Sequence, residues 1–246
     1  MKKLLLFDVD GTLVESGQKV TPDIISLLKD LQKNNYELGI VGGGKLDKVL
    51  YQFNSEINFT HYFTECGCVY HKYKNELKLI YKKNLREHNL YKNINKIVKT
   101  ALNYLSKVDY ELSGHFIDLR NGIIYISLIG MVATQEERKI FINLDKKFNY
   151  RKTLLNILKD KANELKILNK LDIVFGGSVG IAIYPKEYDK IQVLDYLERD
   201  KYSEIHYFGD KYLEDGNDYK LLNHCDTISH EVNSFLDTKK ILLNLI

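Results

Sequence analysis

Two carboxylates one residue apart open the chemistry of this chain. Asp8 and Asp10 follow the apolar run Leu4-Leu5-Leu6-Phe7 and precede Gly11-Thr12-Leu13. Leu4 to Phe7 reads as a strand buried on both faces, and residues i and i+2 of an extended segment point the same way. Asp8 and Asp10 are therefore expected side by side at the carboxyl end of a strand, where open α/β sheets take ligands. Neighbouring carboxylates repel unless a cation sits between them, and Mg²⁺ takes oxygen ligands, often one or two carboxylates. Gly11 frees the backbone for a tight turn, and Thr12 offers a hydroxyl and an N–H to a phosphate. The plain alternative is a solvated Asp-x-Asp turn. The apolar run before it and Gly-Thr-Leu after it favour a site.

A second acidic cluster follows the apolar segment Ile205 to Phe208, as Gly209-Asp210 and then Asp215-Gly216-Asn217-Asp218. Asp210 and Asp218 suit one Mg²⁺ site shared with Asp8 and Asp10. A turn rich in Asp and Gly is the alternative. Gly42-Gly43-Gly44 follows the segment Tyr36 to Val41. Glycines before a helix can present N–H groups to an anion, or form an ordinary strand-to-helix turn.

The elements that must position these residues alternate. Thr21-Pro22 predicts a helix start, with Thr as cap and Pro at the first helical position. Ile24, Ile25, Leu27, Leu28 and Leu31 make its apolar face. Strands are expected over Tyr36 to Val41 and Phe59 to Phe63, the latter ending at Thr64-Glu65-Cys66-Gly67. After about residue 81 the texture changes. A helix is expected from Leu90 to Lys107. Strands Phe116 to Leu119 and Ile123 to Leu128 flank Asn121-Gly122, which predicts a type I′ turn. Thr134 and Glu137 predict a capping box, opening a helix to about Lys147. Another helix is expected over Lys152 to Leu165. Leu171 to Phe175 and Val179 to Tyr184 form a second hairpin across Gly176-Gly177. Hairpins with helices indicate an α+β layer around an antiparallel sheet. The α/β pattern then returns, with Asp189-Lys190 opening a helix that carries Ile191, Val193, Leu194 and Leu197.

Composition sets the outer limits. In 246 residues, 44% hydrophobic content supports a core, and a net charge of +3 is too small to argue for nucleic acid. Three cysteines argue against a disulfide framework, and Cys66 and Cys68 read as reduced thiols. No apolar run approaches a membrane span, and no leader segment is evident, so the cytosol is the expected compartment.

The block Phe7-Asp8-Val9-Asp10-Gly11-Thr12-Leu13 resembles the first signature of the haloacid dehalogenase (HAD) superfamily of aspartate-dependent phosphotransferases. In that superfamily's order, a lysine upstream of a Gly-Asp and Asn-Asp pair, here Gly209-Asp210 and Asn217-Asp218, neutralises nucleophile and phosphate, which points to Lys190. The likeness narrows further. Val41-Gly42-Gly43, Phe116-Ile117-Asp118-Leu119-Arg120-Asn121-Gly122, Ile129-Gly130, Gln135-Glu136-Glu137-Arg138, Tyr188-Asp189-Lys190 and Phe208-Gly209-Asp210-Lys211 together resemble eukaryotic-type phosphomannomutases. This resemblance implies a doubly wound parallel-sheet core of 1–81 plus 187–246. It also implies an inserted α+β cap of 82–186 and a homodimer built through the caps.

The implied chemistry is specific. Asp8 becomes an aspartyl phosphate and Asp10 acts as general acid and base. Mg²⁺, held by Asp8, Asp10, Asp210 and Asp218, and Lys190 offset charge on the transferring group. A hexose 1-phosphate, of mannose or glucose, becomes the 6-phosphate through a bisphosphate, which also serves as activator. GDP-mannose biosynthesis is the implied setting. Arg120 and Arg138 match cap arginines that hold the phosphate not reacting, and Gly43 and Gly180 fall at substrate-binding positions. The chain also departs from the family. Gly17 and Met131 stand where arginines are usual, and Gly180 and Ala182 where Ser and Asp contact the sugar. His224 stands where an acidic residue is usual, and the loop at Gly42 to Gly44 lacks the superfamily's Ser or Thr. Missing hydroxyl partners imply weak discrimination among hexoses. Two rivals follow: a Mg²⁺-dependent phosphatase on the same scaffold, and a non-catalytic, ligand-binding dimer.

Overall fold

The computed structural model describes residues 1–54, 56–214 and 216–245. Asp215 of the second acidic cluster therefore lies outside the described residues. The chain divides into two compact units, one of residues 1–83 and 190–246, the other of residues 84–189.

In the first unit, strand β1 (Lys2–Phe7) has Leu4, Leu5, Leu6 and Phe7 fully buried. Helix α1 (Pro22–Lys33) buries Ile24, Ile25, Leu27, Leu28 and Leu31. Its Thr21 has extended backbone as a cap should, but the hydroxyl is turned to the Asp23 carboxylate instead of capping a backbone N–H. Then come β2 (Tyr36–Val41), α2 (Leu46–Phe53) and β3 (His61–Thr64). The hairpin β4 (Val69–Tyr73) and β5 (Leu77–Lys82) was not expected. In β4 only Val69 and Tyr70 are buried, and the edge strand β5 leaves Leu79 and Ile80 exposed, so the apolar residues show no clean alternation.

The second unit runs α3 (Tyr91–Leu105), β6 (Ile117–Leu119), β7 (Ile124–Ser127), α4 (Gln135–Phe148), α5 (Tyr150–Glu164), β8 (Leu171–Gly176) and β9 (Gly180–Pro185). Thr134 and Glu137 make the expected capping box at the start of α4. Among the described residues its strands form an antiparallel sheet in the order β6-β7-β9-β8. Ile124, Ile126, Ile173, Ile181 and Ile183 pack with Ile94 and Ile97 of α3 and Leu154 and Leu158 of α5. Two details differ from expectation. Neither Asn121 nor Gly122 stands at positive φ, which a type I′ turn requires at both. The Asn121 carbonyl instead accepts from Leu85 N–H at 2.5 Å, and that bond selects another turn. Val179 lies in the loop between β8 and β9, because Gly176 pairs with Gly180 and Gly177 takes φ +58°.

The chain re-enters the first unit through a 3-10 turn, Lys190–Gln192, and a four-residue helix α6 (Val193–Tyr196), shorter than the helix expected from Lys190. Then follow β10 (Tyr202–Gly209), α7 (Tyr219–Leu222), β11 (Ile228–Glu231) and α8 (Phe235–Leu243). Among the described residues the sheet order is β11-β10-β1-β2-β3-β4-β5, with the first five parallel. Strand order reverses at β1, whose neighbours are β2 and β10. Its carboxyl end is therefore the switch point where such sheets open a crevice. Phe7 lies level with both Ile40 and Phe208, so Asp8, Gly42 and Asp210 emerge at one edge. Among the described residues no helix is long and apolar enough to cross a membrane. Cys66, Cys68 and Cys225 carry no disulfide.

Candidate active site

Asp8 leaves β1 immediately after its last ladder residue, anchored by Asp8 N–H to the Phe208 carbonyl at 2.9 Å. Lys190 comes from the 3-10 turn and is fully buried. Its Nζ donates to Asp8 Oδ1 and to Asp218 Oδ1, each at 2.6 Å. It also lies 3.4 Å from the Tyr207 hydroxyl. An ammonium without solvent is costly unless matched by carboxylates, and here two of them share it. Asp218 Oδ1 also accepts from the Tyr207 hydroxyl, and its Oδ2 accepts from Lys211 N–H at 3.0 Å. The Asp218 carboxylate is thus held on both oxygens.

Asp210 completes the cluster. One oxygen each of Asp8, Asp210 and Asp218 lies within 4.8 Å of the others. Asp210 Oδ2 pairs with Lys211, while Oδ1 is buried with no hydrogen-bond partner. A buried carboxylate oxygen left unpaired is expensive, and a cation satisfies it. Local geometry explains two glycines. A Cβ at Gly11, which has φ +92°, would lie 2.4 Å from Asp210 Oδ2. One at Gly209 would lie 2.7 Å from Asp218 Cγ.

Asp10 is placed differently. Strand β1 ends at Phe7, so the period of two does not extend to Asp10, which bridges to Val14 in the following turn. Its Oδ1 accepts from Gly17 N–H and Gln52 Nε2, each at 2.9 Å, and its Oδ2 pairs with Lys48. Its carboxylate is not one of the three clustered ones. Lys48 and Gln52 were not singled out from sequence, although their i, i+4 spacing on α2 puts both on one face. Tyr207 gave no signal, and Lys211 entered only as the last residue of the Phe208-Gly209-Asp210-Lys211 block, with no role assigned to it. The Thr12 N–H is directed to the Val9 carbonyl at 3.3 Å, whereas its buried hydroxyl has no partner. Gly42 lies close by, since a Cβ there would be 3.9 Å from Asp8 Oδ1, and one at Gly43 would be 3.8 Å from Cys66 Sγ.

The electrostatics follow from burial. Desolvation pushes the Asp8 carboxyl up to about 7 against the pull of Lys190, with Asp218 and Asp210 pushing the same way. Desolvation also opposes the charge on Lys190, but Asp218 and Asp8 outweigh it and hold the ammonium well above its ordinary range. Asp218 is opposed by burial too, and Lys190 brings it below the usual carboxylate range. Burial raises Asp210 against Lys211. For Asp10, burial is outweighed by Lys48, so its carboxyl is lowered.

The remaining candidates lie in the second unit. Arg120 follows β6; its Nε donates to Asp118 Oδ2 at 2.7 Å, and its Cζ sits over the Tyr125 ring at 5.0 Å. Arg138, in the first turn of α4, donates from Nε to the Ala133 carbonyl at 3.1 Å. Gly180 pairs with Ser127 across β7 and with Gly176 across β8.

Comparison with known proteins agrees with this architecture. Among solved structures, the N-terminally truncated, IMP-bound IMP-nucleotidase of Plasmodium falciparum superposes with a TM-score of 0.66 at 17% identity, covering 99% of this chain and 68% of that one. A trehalose-6-phosphate phosphatase related protein superposes with a TM-score of 0.57 at 17% identity, covering 98% and 96%. At such identities the likeness shows a HAD-like fold alone. A phosphomannomutase of Spinacia oleracea is 36% identical over 241 residues, 96% of this chain and 93% of its own length. One of Arabidopsis thaliana is 35% identical over 238 residues, 96% of this chain and 93% of its own. The family model for eukaryotic phosphomannomutase matches residues 24–246. On that match and these identities over nearly the whole chain, the protein belongs to the eukaryotic phosphomannomutase family.

Proposed function

We propose that this chain is a phosphotransferase that interconverts hexose 1-phosphate and 6-phosphate, with mannose or glucose as the sugar. The observation that carries the reading is the buried ammonium of Lys190 shared by Asp8 and Asp218, with Asp210 Oδ1 unpaired beside them. Asp8 attacks one phosphorus of a hexose 1,6-bisphosphate, forming a bond to its carboxylate oxygen as the bond to the sugar oxygen breaks, which leaves an aspartyl phosphate and a hexose monophosphate. The leaving oxygen takes the proton that Asp10, ionised at rest beside Lys48, removed from the accepting hydroxyl in the preceding half-reaction. In the return step Asp10 removes the proton from the accepting hydroxyl, and the phosphoryl group passes from Asp8 to that oxygen. Lys190 stays protonated throughout and balances charge on the nucleophile. Arg120 and Arg138 bind the phosphate that is not transferred, where a guanidinium fork suits the oxygens. Gly43 belongs to the backbone that borders the reacting group.

The donor set fits Mg²⁺. Asp8 and Asp210 would hold it, the unpaired, buried Oδ1 of Asp210 being the clearest donor, with Asp218 alongside. When bound, the ion neutralises charge on the phosphoryl oxygens.

Phosphorus NMR with mannose or glucose 1-phosphate, Mg²⁺ and a hexose 1,6-bisphosphate primer is expected to show 6-phosphate appearing. A Mg²⁺-dependent phosphatase acting on a sugar phosphate is the second reading. It is favoured by Gly180 and Ala182, which offer no polar side chain to hold a sugar. Inorganic phosphate as the sole product would establish it in place of the mutase.

The proposal includes a homodimer through the second unit. Helix α4 carries Ile140 and Phe148 with 53% and 50% of their surface exposed, and Leu144 lies between them at helical spacing. The proposal puts the interface on this stripe, which burial against a second copy would cover. Ile140→Glu is expected to convert a dimer to a monomer in size-exclusion chromatography with light scattering. An unchanged mass would remove α4 from the interface.

A further inference from the structure

The sheet of the second unit has one face against α3 and α5. Because side chains alternate, Tyr125, Gly180, Ala182 and Gly176 belong to the opposite face. Tyr125 reaches across that face. A Cβ built at Gly180 would lie 2.3 Å from both Cζ and Oη of Tyr125, and one at Gly176 would lie 2.8 Å from its Cε2. No real side chain stands that close. The phenol ring therefore fills the room of two absent side chains. Its hydroxyl donates to the Gly176 carbonyl at 3.0 Å, which fixes how it lies.

The ring carries a cation. Arg120 Cζ is 5.0 Å from the ring centroid, and Asp118, directly opposite Tyr125 in register, accepts from Arg120 Nε at 2.7 Å. A planar guanidinium stacks on an aromatic face as an ammonium cannot. Carboxylate and ring together set both the position and the plane of the fork.

We propose that Tyr125, seated on Gly176 and Gly180, is the positioning residue for Arg120, so that this sheet face binds a phosphate group through a fixed guanidinium and offers a sugar hydroxyl no partner at positions 176, 180 and 182. The inference rests on the reading that Arg120 binds the non-transferred phosphate. Two features withhold hydroxyl partners around Gly180. A polar side chain at position 180 is excluded by the ring, and the Tyr125 hydroxyl is committed to Gly176. The enzyme is accordingly expected to use hexose phosphates that differ only in the configuration of one hydroxyl with kcat/KM values within about threefold of each other.

The test uses the full chain with Mg²⁺, and glucose 1-phosphate and mannose 1-phosphate as probes, following 6-phosphate or released phosphate. Tyr125→Leu is expected to raise KM about tenfold, with kcat within about threefold of the parent. Tyr125→Phe keeps the ring and is expected to restore KM. Arg120→Ala raises KM to the same extent, and the double variant is no worse than Arg120→Ala alone. Thermal unfolding supplies a readout independent of turnover. Gly180→Ala is expected to lower Tm in the parent and to lower it less in a Tyr125→Ala background, where only the approach to the Ile126 carbonyl oxygen at 2.6 Å remains. If Arg120→Ala raises KM but Tyr125→Leu does not, or if the two effects add, Tyr125 does not position Arg120 and the inference fails alone. If Arg120→Ala leaves KM unmoved, the phosphate reading of Arg120 fails and takes the inference with it. A Gly180→Ala penalty that is undiminished without the Tyr125 ring also overturns it, because the ring is then not what fills that space.

Discussion

Asp8→Asn is expected to abolish phosphoryl transfer while making the metal-free protein more stable. The loss of activity follows from chemistry. An amide does not form the acyl phosphate, and removing a nucleophile costs at least about 10⁴-fold in turnover. The gain in stability follows from burial. Asp8 is almost buried and shares its surroundings with Asp210 and Asp218, so desolvation pushes its carboxyl from an ordinary 3.8 up to about 7. Between about pH 4 and 7 the folded chain keeps a proton that the unfolded chain has released. The contribution of Asp8 to stability therefore falls as pH rises through that window. Asn carries no such penalty. At pH 8 without divalent cation the variant is expected to exceed the parent by about 1–3 kcal/mol, and below about pH 4 the difference should vanish. His61 and His230, kept neutral by burial, act in the opposite sense, favouring the folded state as pH rises toward their ordinary 6.5. Both proteins contain them, so they cancel in the difference. Urea unfolding at several pH values, with EDTA and with Mg²⁺, measures the effect. Mg²⁺ should stabilise the parent more than the variant. A variant less stable than the parent at pH 8 in EDTA would contradict the electrostatic picture of the cluster.

Lys190→Met is expected to have the largest effect on folding. The ammonium is the shared partner of two buried carboxylates, and methionine matches its length but not its charge. Breaking a buried ion pair from one side costs about 3–5 kcal/mol, because the remaining charge keeps its desolvation penalty. Here Asp218 loses the cation that holds its carboxyl low, and Asp8 loses the pull that opposes its upward shift. Both then favour the protonated form, so the loss of stability should be greatest above pH 7 and shrink as the solution is acidified. The Tyr207 hydroxyl and Lys211 N–H still hold Asp218, so the carboxylate keeps its place when Lys190 is removed. Adding Asp218→Asn to Lys190→Met should recover much of the stability and none of the activity. Denaturant unfolding and steady-state turnover of both variants decide it. A single variant within about 1 kcal/mol of the parent at pH 8 would show that the carboxylates do not depend on this lysine.

Much of the architecture was legible in residue patterns because it is local. The Leu4 to Phe7 run could only be a strand covered on both sides. Thr134 and Glu137 carry their own reciprocal hydrogen bonds, and Pro22 marks the first position of α1. The hairpin over Val69 to Lys82 was not legible, because β4 buries only Val69 and Tyr70 and the edge strand β5 is largely exposed, which leaves no period. Asn121-Gly122 carries a strong type I′ signal, yet one long-range bond from Leu85 to the Asn121 carbonyl overrode it. The Thr21 hydroxyl was likewise drawn from its capping role by a nearby carboxylate, that of Asp23.

The order of motifs along the chain determined the family, the kinds of residue available for chemistry, and the presence of an acidic cluster after β10. Those are properties of short segments, set by apolar runs and by the residues that end them. Which carboxylates gather was decided by tertiary structure alone. Strand register brings Asp8 and Asp210 to one edge, and the return of the chain at Lys190 places one ammonium between Asp8 and Asp218, 182 and 28 residues away. The same cause separates Asp10 from that group, since the strand stops before the alternation can reach it. It also turns Gly180 from an apparent loss into the seat of Tyr125. Neighbours across a sheet are set by register and packing, and no spacing along the chain encodes them.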